Sequence, residues 1–236
     1  TYVPDDNFEN YLEANGMGNG TPNDNYVLTS NINTVMGLAV DNLNISDLTG
    51  IEDFSALTEL FCENNQLTTL DVSGATSLEG LECPNNQLTS LDVSGATALT
   101  ELFCDNNQLT TLDVSNNTAL TNLDCHTNNL TTLDVSSATA LRRLDCENNQ
   151  LTCLDVSNNT DLDELVCGDN FLNQLSLQNG NYLDFEIEAQ SNNLICVEVD
   201  NVGYANVNWI DVFDNGVVFN TNCNYTNPCA TVSTIE

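Results

Sequence analysis

The stretch LTELFCENNQLTTLDVSGATS, residues 57–77, returns at residue 78 as LEGLECPNNQLTSLDVSGATA and keeps returning. Near-perfect copies begin at Leu57, Leu78, Leu99, Leu120 and Leu141, so the period is 21 residues. A copy from Leu162 starts well and decays at NQLSLQNGN, a further one is recognisable in IEAQSNNLICVEV, and a divergent one runs from Val35 through LAVDNLNISDLTGIEDF. A unit this short cannot bury a core of its own, but stacked units can, so the chain reads as a solenoid of about eight coils. Within LxC and LxV the apolar residues alternate, as one-sided strands require.

The pattern LxxLxCxxNxLxxLxVxxA carries Asn65 among apolar positions, and Asn86, Asn107, Asn128, Asn149 and Asn170 hold the same place in later coils. An amide column inside the stack can bond the backbone at each turn, which answers the need to satisfy buried polar groups. The cysteines divide in two. Cys62, Cys83, Cys104, Cys125, Cys146 and Cys167 recur once per coil at an inward position, where they read as small buried hydrophobes. Cys153, Cys196, Cys223 and Cys229 fall outside that ladder.

The ends depart from the repeat. Residues 1–33 read as an N-terminal cap with a short helix over 4–15, started by Pro4, Asp5 and Asp6 and stopped at Gly16. Residues 34–200 form the solenoid. Residues 201–236, with Trp209, Phe213 and Phe219, read as a strand-rich C-terminal cap and the start of a linker.

The motif LxxLxCxxNxL, repeated over roughly residues 35–200, resembles the leucine-rich repeat family. From YVPDDNF to LICVEVDN the chain resembles secreted or cell-surface bacterial members, of the Bacteroidetes type and internalin-like in their short 21-residue repeats. The resemblance implies an extracellular setting, a concave face formed by the LxC strands where ligands bind, and adhesion that often needs calcium. The opening TYVPDDNF is read as a mature or trimmed start. An exported setting permits disulfides. A Cys196–Cys223 bridge would pin the C-terminal cap to the solenoid, whereas Cys153 and Cys229 either pair or stay free.

Charge narrows the partners. There are 35 acidic residues and two basic ones, Arg142 and Arg143, for a net charge of −33. Nucleic acid and anionic membrane surfaces are disfavoured, because phosphates would be repelled. No apolar run is long enough for a membrane span. The single His126 has no evident nucleophile beside it in sequence and there is no phosphate-binding Gly-rich loop, so no catalytic residues are assigned and the chain is read as a non-enzyme.

Two sets of surface residues are candidates. Asp71, Asp92, Asp113, Asp134 and Asp155 form a uniform outward column on the LDV segments. It is either a solvated face or a place where calcium bridges neighbouring coils. The loop TPNDNY, residues 21–26, is a second weak calcium candidate. On the LxC strands the outward columns vary: Glu59, Gly80, Glu101, Asn122, Arg143, Glu164; then Phe61, Glu82, Phe103, Asp124, Asp145, Val166; then Glu63, Pro84, Asp105, His126, Glu147, Gly168. A ligand site is expected there on Glu59, Phe61, Glu82, Glu101, Phe103, Asp124, His126, Arg142, Arg143 and Asp145, for a protein or polysaccharide partner. No cofactor is required. The competing reading is a structural spacer within a larger exported protein.

Overall fold

A computed structural model describes residues 1–183, 185–225 and Cys229. The LxC segments form an eight-stranded parallel sheet: Gly37–Ala39, Glu59–Phe61, Gly80–Glu82, Glu101–Phe103, Asn122–Asp124, Arg143–Asp145, Glu164–Val166 and Glu186–Glu188. Each strand is three residues long, and its central side chain points inward. Leu38, Leu60, Leu81, Leu102, Leu123, Leu144, Leu165 and Ile187 therefore stack in strict register. The LDV segments form a second, interrupted row. Thr69–Asp71 pairs with Ser90–Asp92, and Cys153–Asp155, Gln174–Leu177, Cys196–Val199 and Val218–Asn220 form a four-stranded sheet. Every pairing in both rows is parallel, so the chain is a stack of coils rather than a set of hairpins.

The Asn column wires the coils together. Asn107 Oδ1 accepts from the Leu88 amide at 2.9 Å. Its Nδ2 donates to the carbonyls of Cys83, Cys104 and Asp105 at 3.0, 3.1 and 3.1 Å. Asn86, Asn128, Asn149 and Asn170 repeat this set with one-coil shifts. Asn65 does the same toward the first coil, through the amides of Leu43 and Ile45 and the carbonyl of Val40. The residue before each ladder Asn turns the chain through the left-handed region: Asn64, Asn85, Asn106, Thr127, Asn148 and Asp169 have φ between 48° and 55°. Asn tolerates that conformation best among residues with a Cβ, which explains the NN doublet. Thr127 occupies it with a β-branched side chain and is the strained member.

The six ladder cysteines are fully buried and unbridged. Burial pushes their thiols up, Cys167 to about 12, so they remain protonated and serve as packing groups.

The N-terminal helix spans Asp6–Ala14, with Asp5 accepting from the Asn7 and Phe8 amides. The same Asp5 accepts from the Ser46 amide and hydroxyl at 2.8 Å, tying the helix to the first coil. Gly16 ends the helix at φ 74°. At the other end the expected strand is Val218–Asn220, but a helix over Val202–Asn208 precedes it. Its N-cap Asn201 accepts from the Tyr204 amide, and Ala205 and Trp209 turn inward at a four-residue spacing. Trp209 packs edge-on against Phe185, and Phe213 against Phe219, which closes the last coil.

Candidate functional site

Parallel register sets the concave columns side by side. One row reads Phe61, Glu82, Phe103, Asp124, Asp145, and the row beside it Glu59, Gly80, Glu101, Asn122, Arg143. Neighbouring strands lie about 4.8 Å apart, so Phe61 and Phe103 flank Glu82 at about 10 Å from each other. Both Phe rings are half-buried rather than open platforms. Gly80 leaves a gap between Glu59 and Glu101, and the Glu59 carboxylate folds into it.

The acids crowd one another. Glu82 has its pKa raised by burial first, then by Glu63, Glu101, Glu59 and Asp105. Glu59 is raised by burial, Glu101 and Glu79. Asp145 reaches about 6, chiefly through burial, with the charges of Asp124 and Glu147 adding and the Glu147 amide and His126 opposing. Its pKa lies above the ordinary 3.8, so between those values the folded state holds more protons than the unfolded one. Stability from this group is therefore present below about pH 4 and lost as pH rises through about 6. Asp145→Asn keeps an acceptor for the Glu147 amide, 3.1 Å away. In metal-free buffer the variant is expected to melt higher than the parent at pH 7.5 and equally at pH 4. Equal melting at both values would remove Asp145 from the acidic strain.

The structure brings His126, Asp124 and Asp105 together. His126 Nδ1 lies 2.6 Å from Asp124 Oδ1, and Nε2 lies 3.7 Å from Asp105 Oδ2. Burial works against the imidazolium, but the Asp124 hydrogen bond and the charges of Asp124, Asp105 and Asp145 outweigh it and raise the His126 pKa. Asp105 was not among the residues expected to form the site. The signal was its place beside His126 in the third outward column, one coil earlier.

The two arginines lie at the end of this acidic run and pair with acids of the next coil. Arg143 is on the concave strand and pairs with Glu164 at 3.5 Å, while Arg142 precedes that strand and pairs with Asp163 at 3.3 Å. Both pairs are exposed and contribute little, about 0–1 kcal/mol each.

The outward Asp column has a role in its own turns. Asp71, Asp92, Asp113, Asp134 and Asp155 each accept, through Oδ1 at 2.9 Å, from the amide of the Ser two residues on. Closing a turn this way accounts for their uniformity. Asp113, Asp134 and Asp155 also line a groove of about 730 Å³ where the second row lacks strands, with the Cys153–Cys229 disulfide in its wall. Cys196 and Cys223 form the other disulfide, with Cα atoms 5.8 Å apart. In the 21–26 loop Asp24 accepts from the Tyr26 amide and the Asn19 side chain, and its own amide donates to the buried Glu9.

This geometry is that of a leucine-rich repeat solenoid, and comparison with known proteins agrees. No protein-family model matches the chain. Internalin J of Listeria monocytogenes is 39% identical over 75 residues, which is 32% of this chain and 8% of that protein. The solved functional domain of InlJ from Listeria monocytogenes, described as including a cysteine ladder, is 35% identical with a TM-score of 0.61, over 84% of this chain and 50% of that one. Internalin C2 of the same species, at 19% identity and a TM-score of 0.70 over 93% and 95%, shares the fold. In fold the chain is thus a leucine-rich repeat solenoid similar to the solved internalin structures, and it spans half of the solved InlJ domain and a small part of the curated relative. Among the described residues no helix is long and apolar enough to cross a membrane.

Proposed function

We propose that the chain is an extracellular, non-catalytic binding module that takes a basic protein segment along its concave face. The observation that carries this reading is the predominantly acidic run from Glu59 to Asp145, set around two half-buried Phe rings. Acids whose pKa values are raised by burial and then by one another gain when a cationic partner arrives, because its charge offsets their mutual repulsion. The partner's apolar side chains would cover Phe61 and Phe103. The repeated fold supports a binding role, since solenoids present extended concave surfaces for partners. The two disulfides support an oxidising compartment, and the bacterial surface setting of the Bacteroidetes type suggested by the repeats belongs to the same proposal. His126 is surrounded by Asp124, Asp105 and Asn106, and among the described residues no hydroxyl or thiol is bonded to it.

The test is a titration with Lys- and Arg-rich peptides, run beside a glycan panel. Peptide binding that weakens with salt, and weakens about tenfold in Phe103→Ala, is expected. Binding unchanged by Phe103→Ala and by Glu101→Gln would move recognition off this face. Selective capture of a glycan would replace the protein partner by a polysaccharide. Retention of neither would leave the spacer reading. Melting in EDTA and in calcium at fixed ionic strength tests the calcium assistance expected of the Asp column, through stabilisation by mass action.

A further inference from the structure

The concave face holds one cluster of mixed chemistry. His126 Nδ1 and the His126 amide both meet Asp124 Oδ1, at 2.6 and 3.2 Å, so the ring is held from its Nδ1 side. With Nδ1–H donating to the carboxylate, Nε2 keeps its lone pair. The Asn106 amide nitrogen lies 3.3 Å from Nε2 and 2.7 Å from Asp105 Oδ2. Two acceptors from adjacent coils therefore converge on one donor. That donor marks the point at which a cation would be shared.

We propose that His126 Nε2 and Asp105 Oδ2 form a binding site for a first-row divalent transition-metal ion of the zinc class, with Asp124 as the positioning residue that orients the imidazole. One ligand atom from each of Asp105, Asp124 and His126 lies within 4.8 Å of the others. Metal–ligand bonds of about 2.1 Å across the 3.7 Å gap give an angle of about 120° at the metal, close to tetrahedral. A carboxylate on the far ring nitrogen is the arrangement that fixes the tautomer of a metal-binding histidine. Imidazole selects zinc, nickel or copper over calcium and magnesium, which prefer all-oxygen sites. The three side chains are 14–29% exposed, so they are held by packing yet open on one side, where water or a partner's side chain completes the shell. Asn106 swings its amide aside, or turns it to offer oxygen. The site stands whether or not a basic partner binds the face.

Calorimetric titration of the full chain with zinc chloride tests this, with magnesium in excess to occupy the diffuse acidic surface. One zinc per chain is expected. His126→Gln and Asp105→Asn should each weaken it by at least about tenfold, and Asp124→Asn by about 10–100-fold. Asp161→Asn, an exposed acid outside the cluster and off the proposed binding face, should leave it within about twofold. Melting of each variant in EDTA establishes that the fold is kept. Since His126 is the only imidazole in the chain, its ring nitrogens give an unambiguous signal. Zinc should shift Nε2 and leave Nδ1 protonated, whereas a purely structural cluster that binds no metal would move neither. Zinc retained in His126→Gln, as diffuse carboxylate or thiol binding would give, overturns the site. Metal on Nδ1 overturns the role given to Asp124.

Discussion

Asn107→Ala is expected to be among the most destabilising single changes in the solenoid. The Leu88 amide, now 2.9 Å from Asn107 Oδ1 in a fully buried position, would lose its only acceptor on that side of the coil. Three carbonyls, of Cys83, Cys104 and Asp105, would lose a donor. An orphaned buried donor costs about 1–3 kcal/mol. With the weakened carbonyls and the void, a loss of about 3 kcal/mol is expected, which lowers Tm by roughly 6–12 °C in a chain of this size. Asn117→Ala is the matched control. Asn117 is equally buried, and its Nδ2 donates to the carbonyls of Val93 and Ala96. Its Oδ1 has no partner, and Ala75, Ala96 and Ala138 occupy the same place in other coils. Removing it deletes two hydrogen bonds but also one orphaned oxygen, so the change should fall within about 1 kcal/mol. Equal losses in the two variants would mean that burial of an amide, rather than the Leu88 bond, is what the ladder provides. A lowered urea slope in Asn107→Ala would show the stack splitting into separately melting halves.

The second large effect is expected from Cys196→Ser with Cys223→Ser. The bridge spans 27 positions and joins the strand Cys196–Val199 to the chain just beyond its partner strand Val218–Asn220. Closing a loop of that length removes unfolded-state entropy worth about 3 kcal/mol. The cap it secures covers the end of the core through Trp209, Phe213 and Phe219. A solenoid end that opens exposes the next coil, so the loss should appear as a lower melting temperature of the whole chain, by about 6–12 °C. A melt unchanged by the double substitution would mean that β pairing and aromatic packing hold the cap without the bridge. A small early transition followed by the parent melt would mean that the cap unfolds on its own.

Much of this structure is legible from one coil. A 21-residue period determines which side chains stack, because each coil touches mainly its neighbours. That is why the Leu stack, the thiol ladder, the Asn column and the three outward columns can be read by position alone. Even the NN doublet carries its reason, a left-handed turn followed by a buried amide.

What repetition does not determine lies where the copies differ or stop. The helix Val202–Asn208 falls outside the period, and its short apolar pattern does not separate helix from strand. The pairing of Cys153 with Cys229, 76 positions apart, depends on a contact between segments distant in the chain. The His126 cluster turns on side-chain torsions: column order puts Asp105 beside His126, but only packing decides that Nδ1 faces Asp124 and leaves Nε2 toward Asp105. The sequence by itself therefore determined the stack and which residues face outward, because those follow from a local period. Tertiary structure alone decided the capping helix, the long-range bridge and the aim of the imidazole, because each depends on contacts that occur once.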